Sequence, residues 1–220
     1  VNLLVDNEEA RGGPVIEEGN PTYNNLIGRI EKVSRFGFLH TDFTLIKAGS
    51  ILKANGGYLI VNAIDLLRNP FSWGALKRVI QRQEIAIEDI AELYGLSASA
   101  TLKPEPIPVH LRVVLLGNPL LYYLLQAYDE DFSQIFKVKA DFDLESAHVD
   151  ESPAQYANFV AGLCGKENLL HFDRAAVACL MEQAARPAEQ QDKLTLQFSH
   201  LADIVREASY WAGRESQTLV

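Results

Sequence analysis

The chain has 220 residues and a formal net charge of −9, with no basic stripe along it, which excludes a general nucleic-acid-binding surface. Residues are 48% apolar and 22% charged, the balance of a globular protein able to bury a core, and no apolar run reaches the ~20 residues that would span a membrane. Cys164 and Cys179 form no CxxC pair and the five histidines lack metal-ligand spacing, so neither a disulfide framework nor a metal site is expected, and a cytoplasmic setting follows by default.

In chain order, Val1–Asp6 is an apolar run that predicts a strand, and its abrupt start leads to the expectation that the chain is a segment of something longer. Residues 7–20, rich in Glu and Gly, and the following Pro21-Thr22 read as loop. A short helix is predicted over 26–33, then an irregular stretch with Phe36 and Phe38 around Gly37, then an extended piece at 43–46. Tyr58–Val61 is a continuous apolar run, as for a strand covered on both faces of a parallel sheet. Asn69-Pro70 predicts a helix start, with Phe71, Ala75, Leu76, Val79 and Ile80 inward and Lys77, Arg78 and Arg82 outward.

Residues 84–87 and 97–102 predict the arms of a hairpin with a long tip over 88–96, and Pro104, Pro106 and Pro108 an extended connection. Leu111–Leu116 predicts a second buried strand ending at Gly117-Asn118-Pro119, followed by a helix over 120–128 and an alternating strand over 136–142. Beyond Asp143 the signals are helical. Ser152-Pro153 starts a helix through Cys164 stopped by Gly165, Asp173 caps a second, and Ser199 is the candidate cap of a third that ends at Gly213.

Lys47-Ala48-Gly49 through Asn55-Gly56-Gly57, followed by Tyr58–Asn62 and a helix, resembles the Walker B segment of a P-loop ATPase. Together with Pro14–Ile30, Pro104–Pro108 and Phe136–Phe142, in this order and spacing, it resembles the AAA+ module of Lon-type proteases of the B and C branches over nearly the whole chain. The resemblance implies an α/β fold: a P-loop AAA+ parallel sheet core over residues 1–143, partial because its first, mid-sheet strand lies upstream, then a small α-helical lid over 144–220. It implies a homo-oligomeric, hexameric ring that passes unfolded protein substrates to a serine protease chamber. ATP and Mg²⁺ are then possible in the full-length parent, but no cofactor is expected in this segment. No G-x-x-x-x-G-K-[ST] pattern occurs here.

By the same resemblance, Asn62 stands where the Mg²⁺-binding acid of Walker B belongs and Ala63 where a water-activating Glu belongs. Asn62 is equally explained as the cap of the following helix, and Asp65 as a substitute acid only after a register slip. Asn118 occupies the sensor-1 place, or alternatively satisfies the turn before Pro119. The arginine-finger position falls on Ile135, with Lys137 the nearby cation, and the sensor-2 position on Ser199, with Arg206 two turns later. Phe36, Gly37 and Phe38 fall at the first pore loop, where an aromatic beside Gly would grip extended polypeptide, and Tyr94 is a second pore candidate; the plainer readings are a core anchor and a packed tip. Degenerate ATP chemistry on an intact scaffold is the resulting expectation, against a working ATP-driven module or a pure assembly scaffold.

Overall fold

A computed structural model of the chain describes residues 2–7, 12–35, 38–89, 102–187 and 192–220. It divides into two units, Val1–Lys139 and Ala140–Val220.

The first unit is built on a parallel three-stranded sheet of order β1-β6-β9, formed by β1 (Val15–Glu18), β6 (Tyr58–Asn62) and β9 (Arg112–Leu116). The register places Val15 beside Tyr58 and Tyr58 beside Arg112, and at the other end Asn62 beside Leu116. The turn before β6 staples the start of this sheet. Gly56 N–H donates to His110 O at 2.7 Å, Tyr58 N–H to Pro14 O at 2.8 Å, and the Asn55 side chain accepts from His110 N–H at 2.8 Å while donating to Pro108 O at 3.3 Å. Here glycine is required by space: a Cβ on Gly57 would lie 1.9 Å from Pro14 O, and one on Gly49 would lie 2.2 Å from Leu26 O.

The helices α1 (Tyr23–Ile27), α2 (Ser50–Lys53), α3 (Ala63–Arg68) and α4 (Ser72–Arg82) share one core with the sheet, in which Leu26, Ile51, Leu59, Leu66 and Leu76 are wholly buried. Because side chains alternate along a strand, Leu59 and Val61 enter that core while Tyr58, on the opposite face with Val15, Val114 and Leu116, is exposed. The expectation that β6 is covered on both faces is therefore corrected: one face is packed.

Short antiparallel ribbons decorate the unit. They are β2 (Gly28–Ile30) with β5 (Ile46–Ala48), β3 (Val33–Arg35) with β4 (Phe38–His40), and β7 (Glu84–Ile85) with β8 (Ile107–Pro108). Helix α5 (Pro119–Tyr128) and the one-turn α6 (Phe132–Ile135) follow β9.

Several local expectations change. Residues 2–6 are not a strand, although Leu4 and Val5 still pack on the core: apolar character buries a segment without giving it a strand partner. The stretch read as loop holds β1, because its Val-Ile pair gains a ladder against β6. The helix forms at 23–27, capped by Thr22, and gives way to β2 at Gly28. Of the stretch expected to be irregular, the described residues on either side of 36–37 belong to the paired strands β3 and β4, and the extended piece at 43–46 is largely a 3₁₀ turn, Phe43–Leu45, capped by Asp42.

Asn69-Pro70 does not open a helix. Asn69 closes α3, its side-chain amide donating to Asp65 O at 2.8 Å, and α4 starts two residues later behind Phe71 at φ 68°. β7 pairs with β8, and the expected second hairpin arm, 97–102, lies outside the described residues apart from Leu102. The alternating 136–142 stretch has no strand partner among the described residues.

The second unit packs α7 (Ser152–Glu167), α8 (Arg174–Ala185) and α9 (Phe198–Arg214) around Tyr156, Val160, Cys164, Leu180, Leu201 and Val205. An antiparallel ribbon, β10 (Glu145–Ala147) with β11 (Lys193–Thr195), was not anticipated by the helical reading; it is secured where Tyr156 OH donates to Thr195 O at 2.6 Å. Asp173 caps α8 as expected, accepting from Ala176 N–H at 2.8 Å. Gly165 does not stop α7, which runs on to Asn168 in the left-handed region at φ 54°, and Ser199 lies inside α9, whose N-cap is Gln197. Both cysteines are free, Cys164 buried and Cys179 exposed.

Candidate functional site

In open parallel sheets, ligands are received at the carboxyl ends of the strands. Here that edge is formed by the ends of β1, β6 and β9. β6 ends in Asn62, whose Oδ1 accepts from Ile64 N–H at 2.9 Å and Asp65 N–H at 3.3 Å, so its amide is the N-cap of α3. Two residues past β9, Asn118 Oδ1 accepts from Leu121 N–H at 2.8 Å and caps α5, with Pro119 in the first turn. Both helices start this way because an amide oxygen satisfies N–H groups that have no intrahelical partner.

The two ends come together. A Cβ on Gly117 would lie 3.5 Å from Ala63 Cβ, so the turn carrying Asn118 rests against the first residue of α3. Asp65 stays in α3, facing Arg68 at 3.9 Å, and the unbroken β6–β9 register leaves no slip that would bring it onto the strand end. One carboxylate at this edge is that of Glu18, at the end of β1 opposite Val61, whose Oε1 accepts from Asn20 N–H at 2.9 Å. Sequence reasoning missed it because β1 was read as loop, although Val15-Ile16 behind Pro14 carried a strand signal.

The other expected positions are scattered. Ile135 ends α6, and Lys137 follows it in non-strand backbone. Ser199 is exposed in the first turn of α9. Arg206 is fully engaged within the second unit: its Nε and Nη2 reach Glu167 at 2.8 Å each and Nη1 reaches Asp203 at 2.7 Å. The Glu167 hydrogen bond raises the Arg206 pKa and the same contact lowers that of Glu167. Phe38 lies in β4, whereas Phe36, Gly37 and Tyr94 lie outside the described residues. Among the described residues no group of His, Cys, Asp and Glu is arranged to hold a metal ion.

A polar cluster that no sequence signal revealed joins α4 to the α5–α6 corner. Lys77 Nζ lies 2.9 Å from both Asp129 oxygens and 2.9 Å from Asp131 Oδ2, and Trp73 Nε1–H donates to Asp129 Oδ2 at 2.6 Å. Trp73 stacks on Phe136 at 6.0 Å between ring centroids. Burial opposes both charges, but the mutual hydrogen bonds prevail, holding Asp129 below its ordinary value and Lys77 above its own.

A family model described as "LonB-like, AAA domain" matches residues 11–143, and a second, "Archaeal LonB, AAA+ ATPase LID domain", matches 171–220. The chain belongs to the LonB-like AAA family. Its relatives include the Archaeal Lon protease of Thermoplasma volcanium, 27% identical over 99% of this chain and 33% of the relative, and that of Halobacterium salinarum, 28% identical over 99% and 31%. A putative Lon protease homolog of Escherichia coli is 28% identical over 76% of this chain and 28% of its own length. The chain thus spans about a third of the length of the archaeal Lon proteases it matches. A crystal structure of NtrX from Brucella abortus superposes with a TM-score of 0.55 at 15% identity, covering 93% of this chain and 42% of that one, which shows a shared fold. No helix among the described residues is long and apolar enough to cross a membrane.

Proposed function

We propose that this chain is the ring-forming AAA+ part of a Lon-like serine protease, that its ATP chemistry is degenerate, and that it gates unfolded protein into a proteolytic chamber. The observation that carries the reading is the employment of Asn62 and Asn118 as helix caps: the amide oxygens at the two strand ends are committed to backbone N–H groups. Mg²⁺ favours charged, hard oxygen ligands, and a neutral amide already accepting two hydrogen bonds is a poor one. Ala63 offers no carboxylate to polarise water. Ile135 cannot serve as an arginine finger, a contact worth about 10³–10⁵ in rate. The residues present therefore fit a hydrolytic Mg–ATP site poorly, and no hydrolytic step is assigned to them.

The expected partners are further copies of the chain in a hexameric ring and unfolded polypeptides, gripped by Phe36 and Phe38 around Gly37 and by Tyr94. The test uses the full-length protein. Phe36→Ala with Phe38→Ala should reduce degradation of an unfolded protein such as casein while rings stay intact, and unchanged degradation would remove the gating role. Steady ATP turnover that disappears when an upstream P-loop Lys is replaced would instead establish the second reading, an ATP-hydrolysing unfoldase module. That alternative draws on the shared fold with NtrX, which has been crystallised in complex with ATP and with ADP.

A further inference from the structure

A groove enclosing a cavity of about 100 Å³ lies between α4 and the chain that leaves it. A water molecule's share of the liquid is ~30 Å³ and pockets for larger ligands begin near ~300 Å³, so the space suits a group of amino-acid size. The chain turns at Gln83, and residues 84–88 then form the wall facing α4. Ile85 and Ile87 enter the core of the first unit, which leaves Glu84 and Glu88 to the groove. On the other wall stand Arg78 and Arg82, four residues apart and therefore on one face of α4. Between the walls, Ile27 and Val79 give an apolar floor, 2% and 5% exposed.

Two guanidinium groups thus line one wall and two carboxylates the other, and all four residues are exposed. Opposite charges on the two sides of a narrow groove are expected to pair. These do not: among the described residues, none of the side chains of Arg78, Arg82, Glu84 and Glu88 forms an ion pair or a hydrogen bond. Elsewhere the surface does pair its arginines, Arg29 with Glu31 at 2.7 Å and Arg206 with Glu167 at 2.8 Å. The walls therefore keep a positive and a negative pole apart, with an apolar strip between them. A guanidinium fork matches a carboxylate, and a carboxylate accepts from an ammonium group, each through charge-assisted hydrogen bonds.

We propose that this groove binds a small zwitterion, an amino acid or a dipeptide, whose carboxylate meets Arg78 and Arg82 and whose ammonium group meets Glu84 or Glu88. A simple anion would face the carboxylates unpaired, and a simple cation the guanidinium groups. A molecule carrying both charges satisfies both walls at once, and its short aliphatic part rests on Ile27 and Val79. The site is separate from the strand ends at Asn62 and Asn118, and it does not rest on the gating reading above.

The experiment titrates the full-length protein with alanylalanine by calorimetry at low salt. Saturable binding in the millimolar range is expected for so small a ligand held by exposed charges. Acetylating its amino group or amidating its carboxylate should each weaken binding about tenfold, the loss of one charge-assisted contact. The deciding comparison sets ligand groups against walls. Arg78→Gln with Arg82→Gln should abolish the preference for the free carboxylate over the amide and keep the preference for the free amino group. Glu84→Gln with Glu88→Gln should do the reverse. A folding defect does not produce this crossed pattern, and Arg78→Lys with Arg82→Lys, which keeps the charge, should retain the carboxylate preference at reduced strength. No saturation by about 20 mM, or blocked dipeptides that bind as well as the free one, overturns the proposal. So do preferences that survive both pairs of glutamine substitutions, the result given by binding elsewhere in the full-length protein.

Discussion

Ala63 and Gly117 stand in contact: a Cβ on Gly117 would sit 3.5 Å from that of Ala63, with Ala63 itself 4% exposed. Ala63, which the proposed reading puts in the place of a water-activating carboxylate, thus lies in a packed seam between the turn after β9 and the start of α3. Restoring acidic residues by Asn62→Asp with Ala63→Glu should give no ATP turnover in the full-length protein, because Ile135 and Ser199 remain. Forcing a carboxylate into the seam should cost about 2–3 kcal/mol. Phosphate release and urea denaturation check the two halves, and turnover restored by these changes alone would show that the scaffold was still competent.

The caps themselves are measurable. Asn62→Ala and Asn118→Ala should each cost about 1 kcal/mol, whereas Asn62→Asp should be close to neutral because a carboxylate oxygen caps equally well. Urea midpoints should fall for the alanine variants with the slope unchanged.

Close approach at Gly57 gives an asymmetric pair of glycine substitutions. Gly57→Ala puts a Cβ 1.9 Å from Pro14 O and must part β1 from β6, with a loss of about 3 kcal/mol or more. Gly162, in the exposed middle of α7, has nothing within 4 Å, and Gly162→Ala should gain about 0.5–1 kcal/mol. Thermal melts of the two variants should move in opposite directions.

The Lys77–Asp129 cluster sets a pH window. The Asp129 pKa is lowered from 3.8, so its contribution is present above that value and is lost as pH falls through the folded pKa. The Lys77 pKa is raised from 10.5, so its contribution is present below that value and is lost as pH rises through the folded pKa. Asp129→Asn should therefore lower stability by about 2 kcal/mol, evenly from about pH 5 to pH 10, and the difference should shrink in stronger acid. Melts followed by Trp73 fluorescence across pH report it.

Gln83 closes α4 in the left-handed region at φ 56° with its side chain exposed. Gln83→Gly should stabilise the first unit by about 1 kcal/mol because a Cβ is strained there. Asn168, at φ 54°, should respond less to the same change, since Asn tolerates that conformation.

Much of the scaffold was legible one segment at a time. The β6 and β9 runs announced themselves by the apolar stretches Tyr58–Val61 and Val113–Leu116, α5 by the apolar run over 120–128, and α8 by Asp173. The pairing of the short ribbons was not legible: β7 lies within the expected hairpin arm 84–87, but it and β10, two and three residues long, gain their partners, Ile107–Pro108 and Lys193–Thr195, from 22 or more residues away, beyond any local period. The open face of the sheet was equally hidden: Tyr58-Leu59-Ile60-Val61 is apolar throughout, and only the packed helices reveal which alternate residues they cover.

The amino-acid order by itself determined the chemical inventory: an amide at Asn62, a methyl at Ala63, and glycines at the turns into α2 and β6. Those are properties of residue type and need no coordinates. Only the tertiary structure decided how the inventory is used. Hydrogen bonds and packing act across space, so the engagement of Asn62 and Asn118 as caps, the seam between Ala63 and Gly117, and the ties from Lys32 to Asp89 and from Lys77 to Asp129 exist only once distant segments meet.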